Sequence, residues 1–153
     1  MRIRRKQKLK LLAGFLAISL IGVASADLLS RALMWNLQVD DAEYVLSWET
    51  AELTSMSVLA SESFTLRIAG PDNAGVKLLF IVESMPVGAT YDDLELNIMD
   101  GVTIFANLIP DINGEAESPA IAISGGFNLI DFEVSIDIAG AWQFTFVLIT
   151  NGA

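Results

Sequence analysis

The chain has 153 residues, with nineteen acidic side chains against nine basic ones, and it contains neither cysteine nor histidine. Those two absences exclude disulfide staples, Ser-His-Asp and Cys-His catalysis, and histidine-ligated zinc. The formal charge of −10 hides an asymmetry, because six of the nine basic residues fall within the first ten positions.

Arg2, Arg4, Arg5, Lys6, Lys8 and Lys10 form a basic head, Leu11 to Ala26 carries no charge, and Ala24-Ser25-Ala26 supplies the small residues of a signal-peptidase site. Residues 1–26 therefore read as a secretory signal peptide, with cleavage set by Ala24 and Ala26 and a mature start at Asp27. The competing reading is a retained anchor, which the same basic flank would orient in the same direction. Sixteen helical residues span roughly 24 Å, short of the ~30 Å hydrocarbon core. Extension to Trp35 would carry Asp27 and Arg31 into lipid, where ionisable side chains are costly. Either way the expected location is secreted or at the extracellular cell surface, with the membrane met only through this N-terminal segment.

Past Ala26 only Arg31, Arg67 and Lys77 stand against all nineteen acids, a formal charge of −16. Three cations cannot assemble the basic patch that nucleic acid or an anionic lipid surface requires. The charge instead keeps copies soluble and mutually repelled until salt screens them. Residues 27–153 fall in the size range of one domain, and an apolar content of 53% for the whole chain is enough to fill a two-layer core without disulfides.

Along this domain the dominant signal is period two. Leu33, Trp35, Leu37 and Val39 share one face while Met34, Asn36 and Gln38 share the other, which predicts a first strand. After the acidic turn Asp40-Asp41-Ala42-Glu43, Tyr44, Leu46 and Trp48 alternate, as do Phe64, Leu66 and Ile68 further on. Gly70 to Asn73 marks a loop before a strand over Val76 to Val82, whose second face is also apolar at Leu79 and Ile81 and so predicts a covered position or an interface. Pro86 and Gly88 interrupt, Leu94, Leu96 and Ile98 alternate, and Asp100-Gly101 predicts a tight turn into "VTIF". Residues 110–118, "PDINGEAES", read as loop, and "AIAIS" reads as a short strand ended by Gly125-Gly126. Finally "LIDFEVSIDI" and "AWQFTFVLI", separated by Ala139-Gly140, read as a hairpin. Together these predict an all-β fold, about eight to ten strands in a single antiparallel β-sandwich of Ig-like or jelly-roll type over residues 27–153.

The candidate sites follow from residue type. Hard cations such as calcium take several oxygen ligands from loops, and three acidic groups qualify: Asp40, Asp41 and Glu43; Asp92, Asp93 and Glu95; and Asp111, Asn113, Glu115 and Glu117. The last contains "DINGE", which partly resembles the Asp-x-Asn-Gly opening of a calcium loop but lacks the remaining EF-hand ligands and flanking helices; turn geometry alone is the alternative reason for Asp, Asn and Gly there. Trp35, Trp48 and Trp142 sit on inward parity and are expected in the core, although a surface position for one of them would offer carbohydrate a stacking platform. Carboxylate pairs for glycoside hydrolysis cannot be told from a charged face, and Ser84 and Ser124 have no histidine to activate them, so no enzymatic function is expected. The apolar, strand-forming residues 28–39 are a candidate for pairing with a neighbouring copy, with Leu33, Trp35, Leu37 and Val39 as the side chains that enter its pockets.

The signal "KLLAGFLAISLIGVASA", the strand that follows it and "ESFTLRIAGPDNAGVKLLFIVESMPVGA" resemble small secreted β-sandwich proteins of prokaryotic surfaces, in particular the camelysin-like biofilm-fibre subunits and related archaeal surface filaments. The resemblance implies an Ig-like or jelly-roll domain that assembles into homo-oligomers through an N-terminal donor strand. It implies no catalytic or metal-binding residue. The sequence thus leads to a structural or interaction module of the cell surface, with a calcium-dependent or carbohydrate-binding domain as the alternative.

Overall fold

Side chains that alternate in polarity fit a strand with one face on a core and one in water, and that is what most of this chain forms. The computed structural model describes residues 30–57 and 60–150. The expected signal, with Ala24 and Ala26, lies outside the described residues. The strands are β1 (Ser30–Val39), β2 (Val45–Trp48), β3 (Ser55–Ser57), β4 (Ser61–Gly70), β5 (Asn73–Ser84), β6 (Leu94–Asp100), β7 (Thr103–Asn107), β8 (Glu115–Glu117), β9 (Ile121–Ile123), β10 (Gly126–Ile136) and β11 (Gly140–Ile149). One short 3-10 turn, Tyr91–Asp93, precedes β6.

They form two sheets packed face to face, which is the expected sandwich. The first sheet has the order β3-β1-β11-β5-β8, with β9 also paired to β5; the second has the order β2-β4-β10-β6-β7. Phe64, Leu66 and Ile68 of β4 and Phe132, Val134 and Ile136 of β10 are buried against Leu78 and Phe80 of β5 and Trp142, Phe144, Phe146 and Leu148 of β11. Rings meet across the middle layer, with Phe132 and Phe146 centroids 5.1 Å apart and Phe64 stacked on Phe132 at 4.9 Å.

Three details differ from the reading of the sequence. β10 and β11 are not a hairpin: β10 pairs with β4 and β6, whereas β11 pairs with β1 and β5. Their apolar rows face each other through the core instead of lying side by side, an arrangement that satisfies the same alternation. The chain turns this corner at Gly140, whose φ of 128° and 2.6 Å approach of a hypothetical Cβ to Pro86 leave no room for a side chain. Second, the end of the stretch read as loop contains β8, which adds to β5 opposite Leu79, Phe80 and Ile81. Third, one pair is parallel: β1 runs alongside β11 from Arg31 opposite Gly140 to Val39 opposite Leu148. Residues 31–39 are strand, so no membrane helix continues to Trp35, and no helix among the described residues is long and apolar enough to cross a membrane. The expected β6–β7 hairpin is present, with Gly101 at φ 65° in its turn.

Candidate functional site

The feature that sets this sandwich apart is the seam around β1. Its alternation directs Leu33 and Trp35 into the core and leaves Leu37 and Val39 half-buried against it. Trp35 sits at the centre of an aromatic cluster, with its ring centroid 4.6 Å from Phe144, 5.0 Å from Phe64, 5.7 Å and nearly parallel to Phe146, and edge-on to Trp48 at 5.8 Å. Its indole N–H donates to the Leu53 carbonyl at 2.8 Å, so the ring is buried without an unmet donor. On one side β1 pairs with β11 over nine registered positions; on the other it meets β3 at Ser30 to Ala32, and the Leu33 amide donates to Thr54. The four residues expected to act as an assembly strand are therefore brought together along one inward row.

Each end of the seam is tied. At the start, Arg31 occupies the same inward parity as Leu33 and is buried, and its Nε donates to the Ile136 carbonyl of β10 at 2.8 Å, across to the other sheet. At the finish, the Asp40 amide donates to Leu148 at 3.1 Å, while the Asp40 carboxylate accepts from the Thr150 amide at 3.0 and 3.1 Å and from the Thr150 hydroxyl at 2.8 Å. Bonds to a charged carboxylate are stronger than neutral ones, so this is a firm link between the end of β1 and the end of β11. Neither Arg31 nor Thr150 was singled out from sequence as a site residue, although parity marked both: 31 extends the row 33-35-37-39, and 150 extends the row 142-144-146-148.

The acidic groups are separated by their local work. Asp111 accepts from the backbone amides of Asn113 at 2.8 Å and Glu115 at 3.1 Å, which closes the turn. Glu115 and Glu117 then stand on the outward side of β8 around the buried Ala116, and Glu117 lies 3.5 Å from the Lys77 ammonium. Asp41 accepts from the Glu43 amide at 3.0 Å, and Asp93 accepts from the Thr90 amide at 2.8 Å in a capping box. Among the described residues, no three acidic side chains converge in a geometry that could hold a metal ion. Trp35 and Trp142 are buried, and the Trp142 indole donates to Ile138 at 3.1 Å, so neither offers a face for sugar stacking; Trp48 is half-buried against the core.

The strand that follows the Gly101 turn, β7, lies at one edge of the second sheet, opposite the edge formed by β2, and carries no ionisable residue. In comparisons with known proteins, no family model matches the chain and no curated protein is significantly similar to it.

Proposed function

We infer that this chain is a non-enzymatic, exported structural module of the cell surface whose copies assemble by exchanging β1. The observation that carries the reading is the position of β1: an early strand that lies inside a sheet, between β3 and β11, with no hairpin linking it to either. Its partner β11 lies 109 positions later in the chain, as in the pair of Arg31 with Gly140. A strand held this way is a separable insert. If the β1 of a second copy took its place, every backbone bond and every contact of Leu33 and Trp35 would be remade between molecules. Exchange of an identical element is therefore nearly neutral in contact energy, and concentration and hinge geometry decide the outcome. The hinge would be the turn at residues 40–43 between β1 and β2. The net charge opposes crowding of copies, so assembly should rise as salt screens it.

The test is a complementation assay. A chain lacking residues 27–39 is offered a synthetic peptide of residues 28–39, and the intact exported chain is followed by size exclusion and electron microscopy across salt concentrations. Uptake of the peptide, together with open-ended oligomers or fibres of the intact chain, supports exchange. An intact chain that stays monomeric at every salt concentration would overturn it. N-terminal sequencing of the protein recovered from cells and their medium tests export and cleavage after Ala26.

A further inference from the structure

We propose that the end of the sandwich at which β1 begins is seated on a lipid bilayer, with Val87, Ile109 and Ile112 inserted among the headgroups of a zwitterionic surface. The topology gathers that end. Arg31, at the start of β1, is in register with Gly140 at the start of β11, and its Nε donates to the Ile136 carbonyl at the finish of β10. A Cβ on Gly140 would lie 2.6 Å from Pro86, which places the connection after β5 beside it. The Asp137 amide donates to the Asp93 carbonyl at 2.8 Å, and the Val82 amide donates to the Gly114 carbonyl at 2.8 Å. The entry to β1 and the connections 85–93, 108–114 and 137–139 therefore share one end.

Turn tips are normally polar, because Asn, Asp, Gly and Ser suit both the backbone geometry and water. Here they carry aliphatic side chains into solvent. Val87 is 104% exposed, in a turn closed by the Ala89 amide donating to Pro86 at 3.0 Å; Ile112 is 91% exposed, in the turn that Asp111 closes; Ile109 is 70% exposed. Side chains this open hold none of the fold in place, so folding does not account for them. Among the described residues, three of the four most exposed large apolar side chains are at this end, and the fourth, Val102, lies at the far end of β6. The opposite end is otherwise turned by 40–43, 71–73 and 124–126, which read DDAE, PDN and SGG.

The chain preceding β1 names the occupant. Twenty-nine residues come before Ser30, and positions 11–26 carry no charge, as expected of a segment that a bilayer holds for as long as it stays attached. Residues 27–29 reach at most about 11 Å even when fully extended. So short a tether brings the end carrying Val87, Ile109 and Ile112 to the headgroups and raises the effective concentration of three side chains that would bind a bilayer weakly by themselves. Charge selects the lipid. Asp92, Asp93, Asp111 and Asp137 lie at this end, and its one cation among the described residues, Arg31, is buried, so anionic headgroups are repelled while choline headgroups are not.

The proposal rests on export through the N-terminal segment and not on exchange of β1. The chain has no cysteine, so each single-cysteine variant carries one probe. Val87→Cys, Ile112→Cys and, at the other end of β1 about 30 Å away, Ala42→Cys are labelled with a polarity-sensitive fluorophore in the full chain and reconstituted with phosphatidylcholine vesicles at a low protein-to-lipid ratio. Blue-shifted emission and several-fold stronger quenching by lipid-borne quenchers are expected at 87 and 112, with neither at 42. Val87→Asp/Ile112→Asp should reduce the quenching of a third probe, at Ile109→Cys, several-fold. Probes at 87 and 112 that stay in water, an equal response at 42, or a probe at 109 indifferent to the aspartates would overturn the proposal. So would a response that disappears on dilution with lipid, which marks contact with a second copy. Vesicle contact is read on the purified chain, so a failure of export in cells, seen by N-terminal sequencing, is a separate result.

Discussion

The β1 seam and the β6–β7 ribbon are both strand pairs of one sandwich, yet they are built on opposite principles. The ribbon is local: its strands are joined by the turn at Gly101, and its outer strand β7 sits at the rim of the sheet with Ile104 and Phe105 left in water. The seam is long-range: β1 meets a partner from the other end of the chain, in parallel, and its inward row is buried at Arg31, Leu33 and Trp35 and half-buried at Leu37 and Val39. The lesson is that a strand is held either by its turn or by its core contacts. A strand held mainly by core contacts is the one that can change owners, and a strand held mainly by its turn is the one with an edge to spare.

Substitutions should separate these two kinds of support. The largest effect is expected for Trp35→Ala, which removes the ring at the centre of the cluster with Phe64, Phe144 and Phe146. Truncation of a buried aromatic costs about 3–5 kcal/mol, readable as a lower urea midpoint with an unchanged slope. Asp40→Ala comes next, because the buried Thr150 amide and hydroxyl lose their acceptor. A loss of about 1–3 kcal/mol is expected, with faster amide exchange along the second half of β1 and readier strand exchange; Asp40→Asn should lose less, since its carboxamide oxygen still accepts from Thr150.

Gly140→Ala should cost about 1–3 kcal/mol, from an L-residue at φ 128° and the clash with Pro86. A melting temperature equal to that of the parent would show that the corner is looser than drawn. On the ribbon, Ile104→Ser should change the unfolding free energy by no more than about 0.5 kcal/mol, as surface substitutions do. The smallest effect is expected from calcium. The Asp111 carboxylate is engaged by two backbone amides and Glu117 lies beside Lys77, so millimolar calcium should leave the melting temperature unchanged; a rise of several degrees would favour a cation-dependent domain instead.

Which residues face inward was readable in advance. Phe132, Val134 and Ile136, like Trp142, Phe144 and Phe146, alternate with polar neighbours and are all buried. The hairpin at Gly101 was equally plain, because its turn residues declare themselves locally. β8 left no trace, since Glu115-Ala116-Glu117 has one inward residue and becomes a strand only because β5 offers an edge beside it. The site was half legible: Leu33, Trp35, Leu37 and Val39 were evident as a row, whereas Arg31 and Asp40, which tie that row to Ile136 and Thr150, depend on residues more than one hundred positions away.

Sequence alone therefore settled the period, the inward rows, the acidic surface and the all-β class, because side-chain alternation and charge are properties of each short stretch of backbone. Tertiary structure decided the neighbours: that β10 and β11 face each other across the core, that β1 enters a sheet in parallel, and that β7 is left at an edge. Pairing is chosen among whichever edges remain once both apolar faces are buried, and that choice is made by the whole chain at once.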